Sequence, residues 1–164
     1  MSKIKIIYGS NTGITEAAAK EIAKHLDAEV QDVAHAEAKD FQADILILGT
    51  STWGFGELQD DWHTKISLLD DVDLYGKKVA IFGLGDQEGY ADTFLDGVGI
   101  LYDKVCERGA TVIGKTSVAG YYFSASTAVR DGEFCGLALD ETMQAHHTQE
   151  RIRVWTEEIK KQIK

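Results

Sequence analysis

Three short segments concentrate residues suited to binding. The first, Gly9-Ser10-Asn11-Thr12-Gly13-Ile14-Thr15, offers three hydroxyls, one amide and the backbone N–H groups of a predicted helix start. That set suits a phosphate, because N–H groups at a helix N-terminus lack intrahelical partners and face an anion. It is not a P-loop, since no Gly-Lys-Ser/Thr follows, and it is not Gly-x-Gly-x-x-Gly. The segment holds no Lys or Arg, so neutral donors would bind the phosphate. An ordinary polar turn capping a helix would use the same residue types.

The second segment is Thr50-Ser51-Thr52-Trp53-Gly54-Phe55-Gly56-Glu57. Aromatic faces can sandwich a planar ring, and glycines let a backbone approach it. Equally, Trp53 and Phe55 could simply cover the end of a sheet. The third segment is Gly83-Leu84-Gly85-Asp86-Gln87-Glu88-Gly89-Tyr90-Ala91-Asp92. Here Tyr90 is a second candidate for stacking, and Asp86 a candidate acceptor for a ring N–H. An acidic surface loop is the plainer alternative. His63, His146 and His147 invite a metal, but adjacent histidines point in different directions and no third ligand is evident, which leaves them as surface residues.

Each binding segment follows a short apolar run closed by glycine: Ile4, Ile6, Ile7 and Tyr8 before Gly9, Ile45 to Leu48 before Gly49, and Val79 to Phe82 before Gly83. Such runs suit parallel strands buried on both faces. Glu29 to Val33, Thr111 to Ile113 and Gly136 to Leu139 are further strand candidates. Between them, Ala19, Ile22, Ala23 and Leu26 keep helical spacing, as do Phe94, Val98, Leu101 and Val105, and later Ile152, Trp155, Ile159 and Ile163. Alternating strands and helices predict an open α/β sheet with right-handed crossovers, and in such sheets ligands bind where strands end. The stretch Lys115 to Cys135 breaks the alternation and reads as a long functional loop or an insertion.

The chain has 164 residues, the size of one domain. Its formal net charge of −10 disfavours nucleic acid and anionic membranes as partners and favours basic proteins. Two cysteines 29 positions apart fit no zinc motif and no disulfide framework, so both are expected as plain thiols in a reducing compartment. Proline is absent. No apolar run approaches the roughly 20 residues that span a bilayer, and a soluble cytoplasmic protein is expected.

Taken in order, these segments resemble a flavodoxin over nearly the whole chain. Ser10, Thr12, Gly13 and Thr15 are similar to the family's phosphate signature, Ser/Thr-x-Thr-Gly-x-Thr. Thr52-Trp53-Gly54-Phe55-Gly56-Glu57-Leu58-Gln59 resembles the loop over the flavin's inner face, and Gly85-Asp86-Gln87-Glu88-Gly89-Tyr90 the loop whose tyrosine covers the outer face. Gly120-Tyr121 through Phe134-Cys135-Gly136-Leu137-Ala138-Leu139-Asp140-Glu141 looks like the insertion of the long-chain subgroup, and Arg151-Ile152 with Trp155 like the final helix. The chain departs from the family at Thr142 and Met143, where an acid and then Asn often lie near the ribityl chain, and at Thr93, where Asn is common.

The resemblance implies one domain over residues 1–164, a doubly wound five-stranded parallel sheet in the order 2-1-3-4-5, helices on both faces, and a fifth strand interrupted by a long insertion. Flavodoxins are themselves an example of the rule that ligands sit at the switch in strand order, with FMN at that point. It further implies a low-potential one-electron carrier, monomeric, with noncovalent FMN. Cofactor contacts would come from Ser10, Asn11, Thr12, Gly13, Ile14, Thr15, Thr50, Ser51, Thr52, Trp53, Gly54, Phe55, Gly56, Leu84, Gly85, Asp86 and Tyr90, with the Gly54–Phe55 peptide as a redox switch. Implied partners are a flavodoxin or ferredoxin reductase, a pyruvate oxidoreductase, nitrogenase and radical-enzyme activation systems. Between Glu57 and Asp103 stand eleven acids and three lysines, a charge that would lower the flavin's second potential and steer basic partners.

Three other classes are alternatives. An FMN-dependent NAD(P)H:quinone reductase on this fold usually needs a longer chain. A response-regulator receiver would end its first strand in acids, not Gly9-Ser10. A cofactor-free interaction module is the third alternative, and a colourless protein would favour it.

Overall fold

A computed structural model describes residues 3–53 and 55–164. Strand β1 (Ile4–Tyr8) lies between β2 (Glu29–Asp32) and β3 (Ile45–Trp53), and β3 pairs on its far side with β5 (Lys78–Leu84). The fifth position is shared. β6 (Thr111–Ile113) pairs with the first half of β5 and β10 (Leu137–Leu139) with the second half. These pairings are parallel, and they give the order 2-1-3-4-5 with the fifth strand in two pieces.

Successive side chains of a strand point to opposite faces, and both faces here are covered. Ile7, Leu46, Leu48, Val79 and Ile81 belong to one apolar cluster, while Ile6, Ile47, Ala80 and Phe82 belong to the other. That is why the strands read as unbroken apolar runs. Helices α1 (Ile14–Leu26) and α4 (Thr148–Gln162) close the second face with Ala19, Ile22, Ile152, Trp155 and Ile159. On the first face lie α2 (Asp60–Lys65), the single-turn segment Ile66–Asp71 and α3 (Asp96–Glu107), whose Trp62, Leu69, Val98, Leu101 and Val105 are buried.

Several boundaries differ from the sequence expectation. β3 continues beyond Gly49 through Trp53, because Gly49, Thr50 and Ser51 pair with Phe82, Gly83 and Leu84 of β5. Thr52 and Trp53 then pair antiparallel with Leu58 and Glu57 of β4 (Glu57–Leu58), so most of the second binding segment is strand and hairpin. Phe94 does not begin α3. Leu95 has a left-handed φ of 58°, which breaks the helix, and Phe94 stacks at 5.3 Å on Phe123 of the insertion. The insertion itself is ordered. Thr116–Ser117 (β7), Val129–Arg130 (β8) and Glu133–Phe134 (β9) form a small antiparallel sheet in the order β7-β9-β8, packed through Tyr121, Phe123 and Phe134.

Over β1 and β2, Lys5 pairs with Asp40 at 3.0 Å, and Asp40 also accepts from Gln31 Nε2 at 3.1 Å and Glu37 N at 2.7 Å. Burial pushes this carboxyl upward, but the Glu37 N–H, the Lys5 ammonium and the Gln31 amide outweigh it and hold the pKa at about 2. A folded pKa below the unfolded value near ~3.9 stabilises the fold above that value and loses the contribution as pH falls through about 2. Asp40→Asn is therefore expected to cost about 1–3 kcal/mol at neutral pH in urea denaturation. The gap to the parent protein narrows as pH falls from ~4. A gap independent of pH would contradict the role given to the ion pair.

Candidate functional site

The first segment leaves β1 and enters α1 through a glycine. Gly13, the N-cap, has φ 87° and no side-chain cap, and its carbonyl accepts the first helical bond, from Ala17 N at 3.0 Å. The N–H groups of Ile14, Thr15 and Glu16 precede that first bond and have no helical acceptor. Ser10 Oγ accepts from Gly13 N at 2.9 Å and shapes the turn. A side chain at Gly13 would be strained at that φ. The result is an open, electropositive helix end rimmed by hydroxyls.

Buried residues beneath hold this loop in place. Gly9 N donates to Gly49 O at 3.0 Å. Gln59, fully buried, donates from Nε2 to Asn11 Oδ1 at 2.7 Å and accepts at Oε1 from Trp62 N at 3.0 Å. Trp62 Nε1 donates to Gly49 O at 2.7 Å. Tyr8 OH donates to Glu16 Oε2 at 3.1 Å, and burial, followed by that contact with the Glu16 carboxylate, pushes the phenol up to about 12.

A single cleft joins the three strand ends. Thr12, Ile14 and Thr15 line it from the first segment, Ser51, Thr52 and Trp53 from the second, and Leu84, Gly85, Asp86 and Tyr90 from the third. Trp53 is 38% exposed and Tyr90 52%, although both are large apolar rings beside a cavity. The Trp53 indole donates from Nε1 to Ser51 Oγ at 2.7 Å, which fixes its ring. Asp86 Oδ1 accepts from Glu88 N at 3.1 Å and Gly89 N at 2.8 Å, so that oxygen is committed to its own turn.

The remaining sequence candidates among the described residues stand around the cleft rather than on its wall. Ser10 and Gly13 shape the turn, Asn11 is turned toward Gln59, and Thr50 is fully buried with its hydroxyl on Ser51 O at 2.9 Å. Phe55 is 95% exposed near the tip of the β3–β4 hairpin. Gly56 has φ 90°, and a side chain there would press on the Asp96 carboxylate. Gly54, the expected redox-switch residue, lies outside the described residues.

Two further residues line the cleft, both after β10: Glu141, which sequence reasoning did not place in the site, and Thr142, which it noted only as a departure from the family. It also missed the buried pair Gln87 and Asp140 behind them. A lone Gln or Asp carries no periodic signal, and only the fold shows that these are buried. The rings of His146 and His147 lie 4.0 Å apart and tilted by 42°, and burial together with His146 and Arg151 lowers the pKa of His147. Among the described residues no group of three or more potential metal ligands is found. Nor is any described helix long and apolar enough to cross a membrane. Of the eleven acids between Glu57 and Asp103, Asp70 and Asp103 are the ones in ion pairs among the described residues, with Lys104 at 2.6 Å and Arg130 at 2.8 Å.

Comparison with known proteins agrees with this architecture. The flavodoxin family model matches residues 6–155. A flavodoxin of Synechocystis sp. is 46% identical, covering 98% of this chain and 97% of its own. A flavodoxin of Klebsiella pneumoniae is 44% identical, covering 99% of this chain and 96% of its own. The crystal structure of Fusobacterium nucleatum flavodoxin bound to flavin mononucleotide superposes with a TM-score of 0.95 at 34% identity, over 99% of each chain.

The packing under the first segment makes Gly9 indispensable. A β-carbon there would meet Gln59 Oε1 and would lie 2.7 Å from Trp62 Cδ1. Gly9→Ala is expected to destabilise the protein by about 1–3 kcal/mol, measured by urea denaturation. Wild-type stability would show that the loop is not seated on Gln59 and Trp62.

Proposed function

The chain belongs to the flavodoxin family, and from that premise we propose that it binds FMN noncovalently in the cleft at the three strand ends. It is an electron-transfer protein that shuttles single electrons between redox partner proteins. One observation carries the assignment of the site: two part-exposed aromatic rings, Trp53 and Tyr90, come from different strand ends to the same cleft that the open end of α1 faces. The donor set fits the cofactor. Hydroxyls and helix N–H groups suit a phosphate, and two ring faces suit a flat heterocycle.

When bound, FMN supplies the redox chemistry, and the protein supplies binding, orientation and field. In this reading the N–H groups of the first α1 turn and the hydroxyls of Thr12 and Thr15 receive the phosphate. Ser10, Asn11 and Gly13 keep that loop in shape. Trp53 and Tyr90 cover the two faces of the ring and exclude water from them. Glu57, Glu88 and Asp92 stand on or beside the two aromatic loops, and their charge makes the arrival of a second electron costly. The same field attracts partners with basic docking surfaces, such as a flavodoxin or ferredoxin reductase, a pyruvate oxidoreductase or nitrogenase. The carrier is read as a cytoplasmic monomer, and its two free thiols, Cys106 and Cys135, suit a reducing compartment. The quinone-reductase alternative is not favoured, since relatives matched over nearly their full length are flavodoxins.

Thr12→Ala combined with Thr15→Ala is expected to weaken FMN binding by about a hundredfold, the loss of two hydrogen bonds to a charged group. Fluorescence titration of the apoprotein measures this. Riboflavin, which lacks the phosphate, is expected to bind the parent and the double variant alike. Equal FMN affinities would reject the phosphate assignment.

A further inference from the structure

Asp140 is wholly buried immediately after β10, and it is not among the residues that line the cleft. Its carboxylate nonetheless accepts four N–H donors. Oδ2 takes Gln87 N at 2.9 Å and Gln87 Nε2 at 2.8 Å. Oδ1 takes Thr142 N at 3.0 Å and Met143 N at 2.8 Å. A buried carboxylate is costly unless its acceptor sites are filled, and here each oxygen serves a different segment.

Both segments border the site. Gln87 belongs to the turn that carries Tyr90: Tyr90 N donates to Asp86 O at 2.9 Å, and Asp86 Oδ1 closes the turn on Glu88 and Gly89. Gln87 is the buried residue of that turn, and its Oε1 also accepts from Tyr122 N of the insertion at 2.6 Å. In the segment held by Oδ1, Thr142 lines the cleft itself. One carboxylate thus fixes the turn bearing Tyr90 against the segment bearing Thr142.

We propose that Asp140 is a positioning residue of the flavin site, acting through Gln87 to hold the Tyr90 turn at the spacing that the ring requires. The inference rests on the FMN reading above and adds a residue that does not line the cleft. It demands a carboxylate in particular. Asparagine has one acceptor oxygen, and its NH₂ would face N–H donors, so either Gln87 or the Thr142–Met143 pair must let go.

The test compares the parent protein, Asp140→Asn, Tyr90→Ala and their double variant, each as apoprotein titrated with FMN and then reduced stepwise. Asp140→Asn and Tyr90→Ala are each expected to weaken FMN about tenfold and to raise the second one-electron potential, because each takes the Tyr90 ring off the flavin face. In the Tyr90→Ala background the same change is expected to add little, the non-additivity of residues acting through one another. Gln87→Met, which keeps the backbone bond to Asp140, is expected to shift potential and affinity in the same direction, and it decides the matter if Asp140→Asn does not fold. Variants that lose urea stability but keep parental affinity and potentials would overturn the proposal, as would full additivity with Tyr90→Ala. A parent protein that binds no FMN would overturn the reading of the site and this inference with it, before any variant is compared.

Discussion

The site depends on the register of three parallel strands. Tyr8 lies beside Gly49 and Gly49 beside Phe82, so β1, β3 and β5 reach the same edge of the sheet together. Parallel strands need crossovers that return the chain to the opposite edge, so each strand starts at one edge and delivers its following loop to the other. A slip of one residue in β3 would turn Leu48 and Ile47 to the wrong faces, which both apolar clusters forbid. The binding geometry is therefore set by the packing of the core. The hydroxyl-rich turn, the tryptophan hairpin and the tyrosine turn converge because Ile and Leu residues elsewhere cannot be placed otherwise.

Neutral and acidic elements divide the electrostatic work. The phosphate-facing loop contains no cation and relies on the α1 N-terminus. The two aromatic loops carry carboxylates that no lysine or arginine neutralises among the described residues, since the pairs of that region involve Asp70 and Asp103. A cation at the phosphate would offset the negative field felt by the ring. Binding by dipoles and hydroxyls holds the phosphate while leaving that field in place.

Much of this was legible in the sequence, for definite reasons. Isoleucine and valine runs closed by Gly9, Gly49 and Gly83 marked the three strands, and the residues after each marked the loops. Legibility ended where meaning came from long-range packing. Thr50 to Trp53 read as loop because glycine precedes them, yet pairing with β5 and then with Glu57–Leu58 keeps them extended. Phe94 kept helical spacing but belongs to an aromatic cluster with the insertion. Gln59, Gln87 and Asp140 are residue types that normally face water, and nothing near them in sequence distinguishes them from surface polar groups. Their burial follows from strand ends and insertion meeting, which is a property of the fold.

The central claim is that this cleft makes FMN a one-electron carrier. Anaerobic stepwise reduction of the FMN-loaded protein, followed by absorbance against dyes of known potential, tests it most directly. Two well-separated one-electron steps are expected, the second at much lower potential, with no NAD(P)H consumed unless a partner protein is added. A single two-electron step, or steady NAD(P)H oxidation by the protein alone, would contradict it.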